Sequence, residues 1–257
     1  LGGALVSTAA IADYDNDGLL DIYMGRYLDA RKNGPTTFFY SRNGEVNSLL
    51  RNMGDMEFED VTVESNLGDV GLALGIAWAD YNNDGFQDIY LANDFGRHAL
   101  YENDGMGRFT DVAEERGALD WGYGMSSSWG DIDNDGDLDI YVSNMHSSQR
   151  WFAQAATLYK YLWTSVINRT VWQDLPLYLE IVSYEGMSWA SFGDWVLKGN
   201  SLLLNDSTGQ FNDVAESTYT NPYGWYWGSG MFDFDNDGWQ DIYAVNGWIS
   251  ATSQTDI

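Results

Sequence analysis

Nine residues, Asp131-Ile132-Asp133-Asn134-Asp135-Gly136-Asp137-Leu138-Asp139, place five carboxylates on a stretch too short for a helix, and the pair Ile140-Tyr141 follows at once. Three more stretches share the pattern, at 13–21, 80–88 and 233–241, each followed by Ile-Tyr. Clustered carboxylates repel one another, so an empty loop of this kind is costly to order. A hard divalent cation removes the repulsion, and calcium takes an oxygen-only cage of six to eight ligands. Few folds accommodate such a loop four times at one internal spacing.

Calcium is therefore the expected cofactor, about four ions per chain, with ligands at loop positions 1, 3, 5 and 9 and the backbone carbonyl of position 7. These residues are Asp13, Asp15, Asp17, Leu19 and Asp21 in the first loop, and Asp80, Asn82, Asp84, Phe86 and Asp88 in the second. In the third they are Asp131, Asp133, Asp135, Asp137 and Asp139, and in the fourth Asp233, Asp235, Asp237, Trp239 and Asp241. Glycine at position 6 permits the sharp reversal that turns the side chains inward. Asn82 replaces a carboxylate, so the second site is expected among the weaker ones. An EF-hand needs a bidentate Glu at position 12, where this chain has Met24, Leu91, Val142 or Ala244. Magnesium fits less well, because it demands tighter octahedral geometry and keeps its waters. The competing interpretation is four ordinary metal-free Asp/Asn turns, and recurrence at one spacing argues against it.

A second motif alternates with the loops: Asn52 with Phe58-Glu59-Asp60-Val61, Asn103 with Phe109-Thr110-Asp111-Val112, and Asn205 with Phe211-Asn212-Asp213-Val214. Asn to Phe is always six residues, and Phe to the next loop is always 22. The basic unit is 51 residues, and all length variation falls between a loop's last Asp and the next Asn. Insertions recurring at one place mark loops on one face of a repeat structure. Short runs such as 74–79, 88–92, 99–102 and 108–112 read as four strands per unit. Small residues before each loop, such as Gly75, Ser126, Ser127, Ser128, Gly228 and Ser229, suit a crowded inner strand. The fold class predicted is all-β, a β-propeller of four-stranded blades.

The expected organisation is one domain over 1–257. Its blades lie at about 4–62, 72–113 and 125–215, with a half blade at 227–249 and insertions at 26–48 and 145–199. Propellers have four to eight blades, so a longer protein, or a further segment or chain completing the ring, is expected. The larger insertion opens with 151–169, which lacks Gly and Pro and reads as helix; a degenerate blade is the alternative.

Composition narrows the function classes. The 257 residues hold 39 acids against 12 bases, a formal net charge of −27, which argues against nucleic acid and anionic membranes as partners. Sixteen of the 39 acids sit in the four loops, so much of that charge is local. The chain has no Cys, which rules out disulfides and thiolate chemistry. No apolar run reaches the length of a membrane span. No signal-peptide pattern is visible, and the first residue is Leu1, as expected of a removed leader or a fragment.

The two half-motifs together resemble the FG-GAP/VCBS repeat family, the calcium-loop propeller of integrin α-subunits and of many bacterial surface and secreted proteins. Gly199-Asn200-Ser201-Leu202-Leu203-Leu204-Asn205 and Val245-Asn246-Gly247-Trp248-Ile249-Ser250 look most like its bacterial cartilage-acidic-protein-like branch. The resemblance spans about 190 residues and fails over 26–48 and 145–198. It implies a propeller, bound calcium and an extracytoplasmic setting: extracellular, at the cell surface or periplasmic. Members of that branch often carry further blades and an ASPIC/UnbV-type segment. None is visible here, consistent with a partial chain.

Structural calcium fits that setting. A site whose dissociation constant lies ten- to a hundredfold below ambient calcium stabilises by about 1.4–2.7 kcal/mol. Four such sites rival the roughly 5–15 kcal/mol of a whole domain. The expected function is a secreted or cell-surface binding, adhesion or assembly module whose 26–48 and 145–199 insertions meet a protein partner or a glycan. Trp225, Trp227 and Trp248 are candidate contact aromatics, with propeller core as the more ordinary role. A purely structural subunit completed by partners is a blander reading. The alternative is a polysaccharide lyase or hydrolase using Asp174, Glu180, Glu185 or Asp194. His98 and His146 are the only imidazoles, and a surface or structural role suits them better than general base. No catalytic constellation is assigned.

Overall fold

The computed structural model describes residues 5–29, 35, 41–146 and 198–247. The expected helix at 151–169 and the carboxylates Asp174, Glu180, Glu185 and Asp194 lie outside these residues, as does Trp248. Among the described residues the chain is an incomplete all-β propeller whose single helix is the one turn α1, Thr62–Ser65.

Blade one comprises β1 (Val6–Ala12), β2 (Asp21–Arg26), β3 (Ser48–Asn52) and β4 (Phe58–Asp60), paired antiparallel in that order. In blade two, β5 (Leu72–Ala79), β6 (Asp88–Asp94), β8 (Ala99–Asn103) and β9 (Phe109–Asp111) pair likewise. The short ribbon of β7 (Gly96–Arg97) with β10 (Trp121–Gly122) ties blade two to the start of blade three. Blade three holds β11 (Gly124–Gly130), β12 (Asp139–His146), β13 (Ser201–Asn205) and β14 (Phe211–Asp213). The last sheet has only β15 (Gly224–Phe232) and β16 (Asp241–Asn246), and β15 also pairs with the end of β12 at Met145 and His146. The four-strand unit is thus found three times, and its strands start or end within two residues of the predicted runs. Strand β6 runs on to Asp94, past the expected 88–92, because the ladder continues to Leu72.

The first strand of each sheet is the crowded one. A Cβ on Gly75 would lie 2.7 Å from the Ser126 Cα of the next blade. Ser126 Oγ meets Ser229 Oγ at 3.0 Å, and Ser7 Oγ donates to the Ala73 carbonyl at 2.5 Å. Small side chains let neighbouring first strands approach this closely. All four carry a register shift near the start, at Val6/Thr8, Ala73/Gly75, Gly124/Ser126 and Tyr226/Gly228. A bulge there bends and twists the strand.

The fixed Asn–Phe–loop spacing has its explanation between blades. Residue 2 of one loop is clasped by the following blade. Tyr14 packs its ring on Phe109 at 6.0 Å, and its carbonyl accepts from the Asn103 amide at 2.9 Å. Tyr81 repeats this with Phe211 at 5.5 Å and the Asn205 amide at 3.1 Å, and Trp129 stacks on the same ring. The repeat tyrosines at the second position of the Ile-Tyr pairs close the other side. Tyr23, Tyr90 and Tyr141 donate to the carbonyls of Leu67, Ala118 and Thr220 at 3.0, 3.2 and 2.8 Å.

Where no neighbouring blade is described, the same positions are open. Phe58 is 37% exposed, Phe234 75% and Tyr243 61%, whereas Phe109 and Tyr90 are buried. Trp227 is also exposed, while Trp121 lies in the core.

The return limb of the first insertion is tied down. Gly44, Asn47 and Ser41 donate backbone N–H groups to the carbonyls of Val70, Asp69 and Phe95. It leans on blade two.

The clasp can be measured. Asn205→Ala removes an amide that bonds Tyr81 across the interface and Leu138 within the blade. It should lower unfolding free energy by about 1–3 kcal/mol, because buried carbonyls lose their donor. Asn52→Ala, whose amide among the described residues reaches only Leu20, should cost less. Equal losses for the two variants in urea unfolding would contradict the clasp.

Candidate metal centres

Each acidic loop is held by its own backbone. Asp13 accepts the N–H groups of Asp17 and Gly18 at 3.0 and 2.9 Å. Asp80, Asp131 and Asp233 do the same for Asp84 and Gly85, Asp135 and Gly136, and Asp237 and Gly238. The position-5 carboxylates accept the N–H of position 7 at 2.8–3.0 Å, which turns the chain there. Position 4 is an Asn at φ 58–60°, and position 6 is Gly at φ 90–96°. The glycines have open space where a Cβ would stand, so φ alone demands them.

The ninth residue opens the second strand of its sheet and reaches two other segments. Asp21, Asp88 and Asp139 accept the backbone N–H of the repeat residues Asn52, Asn103 and Asn205 at 2.8, 2.8 and 2.9 Å. Asp21, Asp139 and Asp241 accept the N–H of position 2 from Tyr14, Ile132 and Phe234. The repeat Asn therefore has two tasks: its backbone fixes a loop carboxylate, and in blades two and three its amide clasps the preceding blade.

Three sets of carboxylates converge: Asp13 with Asp15 and Asp17, Asp131 with Asp133 and Asp139, and Asp233 with Asp235 and Asp241. Within each set the oxygens lie within 4.8 Å of one another. That is about twice the roughly 2.3–2.6 Å calcium–oxygen distance, so one ion can touch all three. The Asp15 Oδ1 atom is buried without a hydrogen-bond partner. The second loop makes no such set among the described residues. There the Asn82 amide lies 3.1 Å from Asp84.

Electrostatics favours a cation. Burial raises the carboxyl pKa of Asp88 to about 8 and of Asp139 to about 6, against an ordinary 3.8. Burial, then the neighbouring Asp17 charge, raises Asp15; burial also raises Asp21. Among the described residues Lys and Arg pair with Glu59, Glu102, Asp111, Asp120 and Asp213, and none with a loop aspartate. An all-oxygen donor set without a protein cation suits calcium.

At the opposite ends of the strands lies a polar cluster that the repeat signals missed. Asp120 is fully buried and accepts from Ser201 Oγ at 2.7 Å, Asn144 Nδ2 at 3.1 Å and Lys198 Nζ at 3.0 Å. Lys198 also meets Asp213 at 2.6 Å. Burial pushes the Asp120 carboxyl up, but Lys198 and then His98 outweigh it and hold it low. His98 is buried 3.6 Å from Asp120, and burial lowers its pKa; it is structural, not a surface base. The His146 side chain lies outside the described residues.

This cluster sits where the large insertion leaves and returns. There the Asn144 N–H donates to Asn200 Oδ1 at 2.8 Å, and Asn200 donates to Tyr141 Oη at 2.8 Å. The first insertion has the same bracket, Arg26 N–H to Asn47 Oδ1 at 2.7 Å and Asn47 to Tyr23 Oη at 3.3 Å. The sequence signal was the run Asn-Ser-Leu-Leu at 47–50 and again at 200–203. Asn168-Arg169-Thr170 and Asn205-Asp206-Ser207 match the Asn-x-Ser/Thr glycosylation pattern, but Asn205 is buried with its amide bonded, so it is an interface residue. Asn168, the other match, lies outside the described residues.

A family model for the FG-GAP-like repeat matches residues 32–91, 80–142 and 181–244, more than half of the chain. The chain belongs to the FG-GAP-like repeat family. Each matched FG-GAP-like unit ends just past an acidic loop, at Leu91, Val142 or Ala244, so the unit joins the outer strands of one blade to the loop of the next, and the clasp residues Tyr81 and Asn205 fall in different units. Among curated proteins, cartilage acidic protein 1 of Xenopus tropicalis is 24% identical over 261 residues, covering 93% of this chain and 38% of that protein. The Homo sapiens protein of the same name is 24% identical over 259 residues, covering 93% and 37%. The FG-GAP-like chain thus spans less than two fifths of the curated relatives it matches. Among its described residues no helix is long and apolar enough to cross a membrane.

Buried carboxylates give a pH test. Without metal, folded Asp88 keeps a proton to about pH 8 that the unfolded chain has already lost, so stability falls as pH rises through that range. Buried neutral His98 acts oppositely, but only below its ordinary value of 6.5. In calcium-free buffer, unfolding free energy should drop between about pH 6.5 and 8, and saturating calcium should flatten the drop. Stability that is flat or rising without calcium would oppose the burial argument.

Proposed function

We propose that this chain is an extracytoplasmic calcium-binding propeller module for binding or assembly, with structural ions in its loops. About four ions are held by Asp13, Asp15, Asp17 and Asp21, by Asp80, Asn82, Asp84 and Asp88, by Asp131, Asp133, Asp135 and Asp139, and by Asp233, Asp235, Asp237 and Asp241. The carbonyls of Leu19, Phe86, Asp137 and Trp239 complete the cages. The second, poorer in carboxylates, is among the weaker sites. In this reading residues 1–257 form one propeller domain, and further repeats or a partner continue the ring.

The observation that carries the binding role is the placement of the insertions. Strands β2 and β12 start at a loop carboxylate and end at Arg26 and His146, where the insertions begin. Both insertions therefore leave the face opposite the acidic loops, each with its stem bracketed by an Asn. Ions brace one face while the other presents variable segments to a protein or glycan. Millimolar calcium outside the cytoplasm suits weak structural sites. Two relatives are named for cartilage and for acidity, which supports the same setting.

A glycan array probed in millimolar calcium should return a set of ligands. Replacing 147–197 by the short blade-two connection at 95–97 should abolish that binding while leaving calcium uptake intact. Undiminished glycan binding without the segment would contradict an insertion-borne surface. An empty array would leave a protein as the ligand class.

A further inference from the structure

Residue 4 of each loop is an Asn held at positive φ, and its amide is not used within its own loop. Asn16 of loop one donates to the Gly85 carbonyl of loop two at 3.0 Å. Asn134 of loop three donates to the Gly238 carbonyl of loop four at 3.0 Å. Between them, Asn83 of loop two donates to the Asp137 carboxylate of loop three at 3.1 Å. Every junction between successive loops is bonded in this way, although the loops are 51–102 residues apart in sequence.

A second, buried route runs in parallel. Asp88 of loop two accepts the Asn103 N–H, the Asn103 amide donates to the Tyr14 carbonyl, and the Tyr14 N–H donates to Asp21 of loop one. Asp139 of loop three reaches the Tyr81 carbonyl of loop two through Asn205. Two of the carboxylates that would hold neighbouring ions are therefore linked through three hydrogen bonds and one residue on each side.

We infer that the loops fill as a coupled row, each bound calcium raising the affinity of the adjacent loop through the position-4 asparagines. This rests on the calcium reading above. The coupling follows from where the bonds land. Gly85 and Gly238 carry the carbonyls just before Phe86 and Trp239, whose own carbonyls face the ion in that reading. Asp137 is itself the position-7 residue of loop three. An ion that fixes position 7 fixes the acceptor of the preceding loop's Asn. Carboxylate repulsion works against the order of that acceptor, and an ion offsets it. Through these bonds an ion that steadies one loop lowers the cost of ordering the next, which is what coupling requires. Loops two and three gain most, because each has a bonded neighbour on each side, and in loop two Asn82 also stands in place of a carboxylate.

The test is calcium titration calorimetry on the full 257-residue chain, with bound calcium counted by equilibrium dialysis. Asn16→Gly, Asn83→Gly and Asn134→Gly each remove one inter-loop bond while glycine keeps the positive φ. Asn236→Gly is the control: it loosens loop four equally, but among the described residues its amide joins no neighbouring loop. Each of the first three should raise the half-saturation calcium concentration by about two- to fivefold and flatten the curve, with the number of ions unchanged. The control should shift the midpoint less than any of the three and leave the slope as in the wild type. Unchanged curves for the three variants, or an equal change in the control, would overturn the coupling while leaving calcium binding standing. No bound calcium in the wild-type chain would overturn both.

Discussion

The interaction on which the rest of the structure depends is the buried carboxylate at the head of each second strand. Asp21, Asp88 and Asp139 are fully buried, and each holds the backbone of a repeat Asn on the third strand. One side chain thereby joins an acidic loop, the strand after it and the strand beside that. Burying an anion has a price, visible in the raised pKa values of Asp88 and Asp139. In the calcium reading the ion supplies the missing positive charge, and the same oxygen-rich loop that would repel itself becomes a rigid corner.

From that corner the order of the blades follows. The Asn fixed by the carboxylate reaches back to residue 2 of the preceding loop, and Phe109 or Phe211 closes on the same residue's ring. Loop geometry and blade packing are therefore one device. Its reach explains why the described edges expose Phe58 and Phe234, which are the unmatched halves of that device. It also separates two faces: acidic loops on one, insertion stems with the Asp120 cluster on the other.

The repeat was legible because each of its elements answers to a local rule. Acidic spacing, Gly at position 6, strand-length apolar runs and small inner-strand residues pointed to four-stranded blades, and the strands lie where they were expected. The spacing of Asn103 and Phe109 was visible, but its purpose was not, since the partner Tyr14 lies 89 residues away. His98, Asp120 and Lys198 carry no periodic signal and meet only through the fold. Their bracket could have been suspected from the paired Asn-Ser-Leu-Leu runs. The second loop, expected among the weaker sites, is the one without a converging carboxylate set among the described residues.

The most direct test of the account is metal content measured together with thermal unfolding. The chain is equilibrated in millimolar calcium, freed of excess ion, assayed for metal and then melted with and without chelator. The account predicts about four calcium ions per chain and a midpoint that falls by many degrees when they are stripped. A metal-free protein with the same midpoint in calcium and in chelator would contradict it: the acidic loops would then be ordinary turns held by their backbone hydrogen bonds alone.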